Sequence, residues 1–129
     1  MIAADTNIIL RLFIQDDEEQ SQAAIQLFSE QVVWVSRSVI LEAVWVMRAA
    51  LDHSREDICR FIHTLIHLED VIIDAHEVVL RTLAAYQSGM DFADALHLYS
   101  ANEGELTFYT FDKKLVKFAD RLNASAKLL

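Results

Sequence analysis

Short apolar runs alternate along the chain with longer stretches in which apolar residues recur every three or four positions. The runs are residues 2–4, 32–35, 71–73, 107–109 and, least sharply, 126–128. Each is too short for a helix and apolar at successive positions, the pattern of strands buried between helix layers. Residues 39–51 and 75–87 carry helical spacing. A third helix is signalled by Ser54, three positions ahead of Asp57 in a variant of the capping box, and continues through Ile58, Phe61, Ile62 and Leu65. Strands separated by helices need right-handed crossovers, which produce a parallel sheet. The pattern predicts a three-layer α/β domain: a short-stranded, mainly parallel five-stranded sheet flanked by helices. Trp34, Trp45 and the Phe residues are read as core.

The chain has 129 residues, no proline, and glycine only at Gly89 and Gly104, so a flexible linker has nowhere to sit. A single domain over 1–129 follows, long enough to bury about two-thirds of its unfolded surface. Hydrophobic residues at 53% exclude a disordered chain. Charges interrupt every apolar stretch well short of the roughly 18 residues a membrane helix needs. Met1 to Ala4 run straight into Asp5, without the basic segment and cleavage site of a secretory leader. Cys59 is the single cysteine and makes no internal disulfide. These features predict a cytoplasmic protein in which Cys59 packs as a small apolar residue.

Open parallel sheets bind ligands beyond the carboxyl ends of their strands. Three acids fall there: Asp5 after the first strand, Asp74 after the third, and Asp112 just past the fourth in Thr110-Phe111-Asp112. Glu42 is the only acid within the apolar stretch from Ser38 to Met47, and the polar stripe left to it looks very narrow. A site carboxylate explains it better than a solvated one, because charges are seldom buried without partners. Asp91 and Asp94 are three apart at the start of another helical stretch. Asp91 suffices as the N-cap, which leaves Asp94 as the site candidate. Net charge is −9, from 20 acids against 11 Lys and Arg, a balance opposed to nucleic-acid binding if the acids are spread over the surface. Acids gathered at one site repel each other unless cations neutralise them, and oxygen-only ligands suit Mg²⁺ or Mn²⁺. Such a centre suits phosphodiester hydrolysis.

The same residues resemble a known family. Asp5-Thr6-Asn7 after a first short strand is similar to the opening of PIN-domain ribonucleases. Glu42 in Leu41-Glu42-Ala43 matches that family's second acid, Asp94 in Asp91-Phe92-Ala93-Asp94 its third, and Asp112 in Thr110-Phe111-Asp112 its fourth. Length and motif order resemble the VapC-type toxins of bacterial toxin–antitoxin pairs. The resemblance implies a Mg²⁺-dependent endoribonuclease, with Mn²⁺ as substitute, leaving 5′-phosphate and 3′-hydroxyl ends. It implies that Asp5, Glu42, Asp94 and Asp112 hold the metal, that Asp91 is an accessory ligand, and that Thr6, Asn7 and Thr110 position the ligands. A homodimer and a VapB-like antitoxin covering the active-site groove are also implied.

Phosphate contacts then fall to basic residues near these acids in sequence: Arg11, Arg37, Arg48, Lys113 and Lys114. Arg11, little more than one helical turn after Asp5, is the strongest of them as a substrate or antitoxin contact. His63 and His67 have metal-ligand spacing but no third ligand, and read as the polar face of an amphipathic helix. His97, one turn past Asp94, borders the groove or packs in the core. Three other readings stay open: an RNA-processing nuclease outside any toxin pair, a receiver-like signalling domain with Asp74 as phosphoacceptor, and a silent PIN module that only binds a partner.

Overall fold

The computed structural model describes residues 1–129, which divide into two compact units, Met1–His76 and Glu77–Leu129. In the first, β1 (Ile2–Ala3), β2 (Val33–Val35) and β3 (Val71–Ile73) form a parallel sheet in that order, with Ala3, Trp34 and Ile72 in register. Helices α1 (Thr6–Phe13) and α2 (Glu18–Glu30) connect β1 to β2; α3 (Arg37–Trp45) and α4 (Arg55–Ile66) connect β2 to β3. In the second, α5 (His76–Gln87) and α6 (Phe92–Glu103) precede β4 (Phe108–Thr110), which pairs in parallel with β5 (Ala126–Leu128) across α7 (Lys113–Arg121).

The architecture is α/β with short parallel sheets flanked by helices, as the alternating pattern predicts. The ladders are smaller than expected: one of three strands and one of two replace the single ladder of five. Each strand is only two or three residues long, so each ladder is short. The sheet faces also differ from expectation. Val33, Val35 and Ile73 are buried, while Trp34 and Ile72 are 38% and 45% exposed on the opposite face. Alternation along three residues therefore sets one face inward and one outward, and Trp34 is not a core residue.

Side-chain caps fix where the helices start. Ser54 Oγ accepts from Asp57 N at 3.0 Å and Asp57 Oδ2 accepts from Ser54 N at 3.4 Å, the reciprocal box read from the sequence. The amphipathic face of α4 buries Ile58, Phe61, Ile62 and Leu65, and Phe61 meets Phe13 of α1 edge-on at 4.7 Å between ring centres. The helical spacing over 39–51 resolves into α3 and one turn of wider π-helix, Val46–Ala50, closed by a bond from Leu51 N to Val46 O. Gly89 lies at φ +108°, and a Cβ there would still stand 3.9 Å from Phe118, so the backbone angle calls for glycine and not the space. That angle turns the chain out of α5 toward Asp91.

Cys59 is buried on α4, and burial pushes its thiol above the usual value against a weaker pull from Arg55. A raised pKa leaves little thiolate at mildly alkaline pH. Ellman's reagent is therefore expected to label the denatured chain fully and the native chain slowly; rapid native labelling contradicts the packing role.

Candidate active site

Three of the acids singled out by sequence cap helices. Asp5 Oδ1 accepts from Ile8 N at 3.1 Å at the start of α1. Asp91 Oδ2 accepts from Asp94 N at 3.0 Å at the start of α6. Asp112 Oδ1 accepts from Lys114 N at 2.9 Å and Leu115 N at 3.2 Å at the start of α7. Capping and ligation are compatible, because the cap engages one carboxylate oxygen and orients the other. Thr110 assists at Asp112, its Oγ1 accepting from Asp112 N at 3.0 Å, which fixes the turn between β4 and the cap.

In the first unit, Asp5 borders a cavity of about 420 Å³ between α1 and α2, lined also by Asn7, Ile8, Arg11, Ala24 and Leu27. The α2 wall of this cavity was not signalled by any motif, although Asp17 as cap and Glu18-Glu19 in the first turn mark where the helix begins. Thr6 is buried as the first residue of α1, and Asn7 is exposed. Arg11 pairs with Asp16 and donates from Nε to Gln20 Oε1 at 2.8 Å. Glu42 stands on the exposed face of α3, while Ile40, Ala43, Val44 and Met47 face inward. The stripe is wider than the sequence suggested because Trp45, read as core, is 65% exposed on it. Burial therefore gives Glu42 no distinction as a site acid, and its candidacy rests on its place in the motif. Asp74 is held by Arg37, whose Nε lies 3.2 Å from Oδ2.

In the second unit, Asp91 and Asp112 are near enough to Asp94 to act on it electrostatically. Burial raises the Asp94 carboxyl above the ordinary carboxylate range, the Asp91 and Asp112 charges raise it further, and His97 draws it part of the way back. His97 is exposed, so it borders this acid group and does not pack in the core. His63 and His67 lie on the exposed face of α4 with ring centres 4.3 Å apart, as the amphipathic reading expects.

Within neither unit do three His, Cys, Asp or Glu side chains form a ready-made ligand cage. The donor chemistry nonetheless fits a hard divalent cation: the acids offer oxygen alone, and a cation would offset both the burial and the lesser Asp91 and Asp112 repulsion that raise Asp94. The profile of the PIN domain family matches residues 2–121. The chain belongs to the PIN domain family. PIN domains are in general metal-dependent nucleases that act on RNA. No curated protein matches the chain. Membership displaces the receiver-like reading, which also fails locally because Arg37 occupies the Asp74 carboxylate. No helix is long and apolar enough to cross a membrane.

Proposed function

We propose that this PIN domain protein is a Mg²⁺- or Mn²⁺-dependent endoribonuclease, the toxin of a VapBC-type toxin–antitoxin pair. Asp5, Glu42, Asp94 and Asp112 hold the metal, with Asp91 as an accessory ligand. The observation that carries the reading is the Asp94 carboxyl, raised by burial and by the Asp91 and Asp112 charges, in a chain of a nuclease family. A bound Mg²⁺ or Mn²⁺ supplies Lewis-acid and water-activating chemistry.

The chain's own residues prepare the site. The caps at Asp5, Asp91 and Asp112 each commit one oxygen to a helix and present the other. Thr110 holds the Asp112 turn, and Thr6 and Asn7 extend the motif at the start of α1. Hydrolysis adds water across the bond between phosphorus and the 3′-oxygen: hydroxyl joins phosphorus, and the leaving 3′-oxygen takes the proton. Cleaved RNA is accordingly expected to carry 5′-phosphate and 3′-hydroxyl ends when its termini are mapped. Ends bearing 2′,3′-cyclic phosphate mean attack by the ribose hydroxyl and contradict the mechanism.

The toxin assignment, the homodimer and the VapB-like antitoxin rest on motif order, and the cytoplasmic setting on the single cysteine. Arg11, beside the Asp5 cavity, is assigned to substrate or antitoxin contact. Co-expression with the product of an adjoining short open reading frame is expected to yield a complex that no longer cleaves RNA. Full cleavage in that complex supports the RNA-processing alternative.

A further inference from the structure

A carboxylate-held metal does not choose among nucleotides. The cavity of about 420 Å³ between α1 and α2 in the first unit, which Asp5 borders, holds groups suited to that choice. Gln20, Ala23, Ala24 and Leu27 fall at i, i+3, i+4 and i+7 of α2, so they share the helix face that forms one wall. The two alanines leave room that larger side chains would fill. Together with Ile8 of α1 they make an apolar surface for a flat ring.

The polar end of the cavity is Arg11 with Gln20, and Arg11 is tethered at two points. Its Nε donates to Gln20 Oε1 at 2.8 Å, and its Nη1 is held by the Asp16 carboxylate. A guanidinium has no acceptor, so Gln20 turns its oxygen toward Arg11 and its amide nitrogen away. Nη2 of Arg11 and Nε2 of Gln20 are left without a protein partner. The rigid fork of the guanidinium points Nη2 the same way as Nε, toward Gln20, which sets the two free donors close together. Asp16 already balances the guanidinium charge, so a pair of uncharged acceptors suits this end better than a second anion.

Guanine carries such a pair, O6 beside N7, on the edge that arginine most often reads. Adenine sets an amino donor beside N7 and meets these donors with its own, and pyrimidines lack N7. We propose that the α1–α2 cavity takes an unpaired guanine next to the scissile phosphate, with Arg11 and Gln20 as the residues that determine this specificity. The inference rests on the nuclease reading given above. Arg11 follows Asp5 by about 9 Å along α1 at 1.5 Å per residue, a reach that one nucleotide covers from phosphate to base edge. A partner helix, about 10–12 Å across, is too wide to enter a cavity of this size. In duplex RNA the same guanine edge lies in a deep, narrow groove that side chains do not read, so the base must be unpaired.

The test cleaves a random-sequence pool of single-stranded RNA with Mn²⁺ and sequences the new ends. Wild type is expected to enrich guanine at one fixed position beside the cut. A short RNA bearing guanine, 7-deazaguanine or adenine at that position then gives kcat/KM for each base; the 7-deaza base lacks only the N7 acceptor. Wild type is expected to prefer guanine to adenine about thirty-fold, with 7-deazaguanine between them. Arg11→Ala lowers kcat/KM for the guanine RNA to the adenine value. It leaves the log–log salt slope of RNA binding in EDTA unchanged, whereas loss of a phosphate contact makes that slope shallower by about one. Gln20→Glu keeps an oxygen for Arg11 Nε but replaces the amide donor with an acceptor, and shifts preference toward adenine and cytosine, whose amino groups donate. No base preference in wild type, or a guanine preference that both variants keep, overturns the inference and spares the nuclease. So does a shallower salt slope in Arg11→Ala with the base preference intact, which makes Arg11 a phosphate contact. A wild-type protein that leaves the whole pool uncut with Mn²⁺ overturns the nuclease reading first and this inference with it.

Discussion

Asp94→Asn is expected to slow RNA cleavage about a thousand-fold while making the metal-free protein more stable at neutral pH. The first effect follows from removing a carboxylate proposed to hold the metal, a loss of several kcal/mol from the transition state. The second follows from the raised pKa. Burial chiefly, then the Asp91 and Asp112 charges, make the ionised form of Asp94 less favourable in the fold than in the unfolded chain. At pH below the unfolded value of about 3.9 both states hold the proton, and the site carries no penalty. As pH rises, the unfolded chain ionises first and stability falls, until the folded carboxyl ionises as well. At neutral pH the wild type carries the whole penalty and asparagine none. Thermal unfolding in EDTA should show the variant melting above wild type at neutral pH, with the gap closing in acid. Saturating Mn²⁺ should raise the wild-type melting point and leave the variant's nearly unchanged. Wild-type cleavage by Asp94→Asn sinks the site assignment; a variant less stable at neutral pH sinks the electrostatic account.

Asp5 separates capping from ligation. Asp5→Asn and Asp5→Ala should each lose about a thousand-fold in cleavage, because neither keeps the carboxylate. Their stabilities should differ. Asparagine still offers an oxygen to Ile8 N and caps α1 nearly as well as aspartate, whereas alanine removes the cap at a cost of about 1 kcal/mol. Urea unfolding of the two variants beside wild type measures this difference. Asp5→Asn with wild-type activity would leave Asp5 a helix cap and nothing more.

Features governed by local bonding were legible in the sequence. The reciprocal Ser54–Asp57 box, the Asp91 cap with Asp94 at its third position, and strands β3 and β5 stand where their residues predict. Each depends on interactions a few residues apart or on an uninterrupted apolar run. The side from which an element is covered was not legible. A strand of three residues has too few positions to show whether one face or both are buried, so Trp34 and Ile72 were misjudged. On α3, counting Trp45 as core narrowed the polar stripe and gave Glu42 a distinction that its exposure removes. Phe111, read as core with the other Phe residues, is exposed as well, because an aromatic residue does not by itself reveal on which side of the surface its ring lies. The division into ladders of three and two strands depends on which backbone edges meet, which residue identity hardly constrains. Asp5 and Asp112 stand at strand ends and Asp91 caps α6, as read, because aspartate at those positions has a local reason to be there. The joint role proposed for the acids rests on the family's motif order.

The most direct measurement is RNA cleavage by purified wild-type protein with Mn²⁺ and with EDTA, run beside Asp5→Asn. The account predicts cleavage that requires the metal and is lost in the variant. Cleavage that persists in EDTA, or that Asp5→Asn performs at the wild-type rate, contradicts a carboxylate-held metal centre.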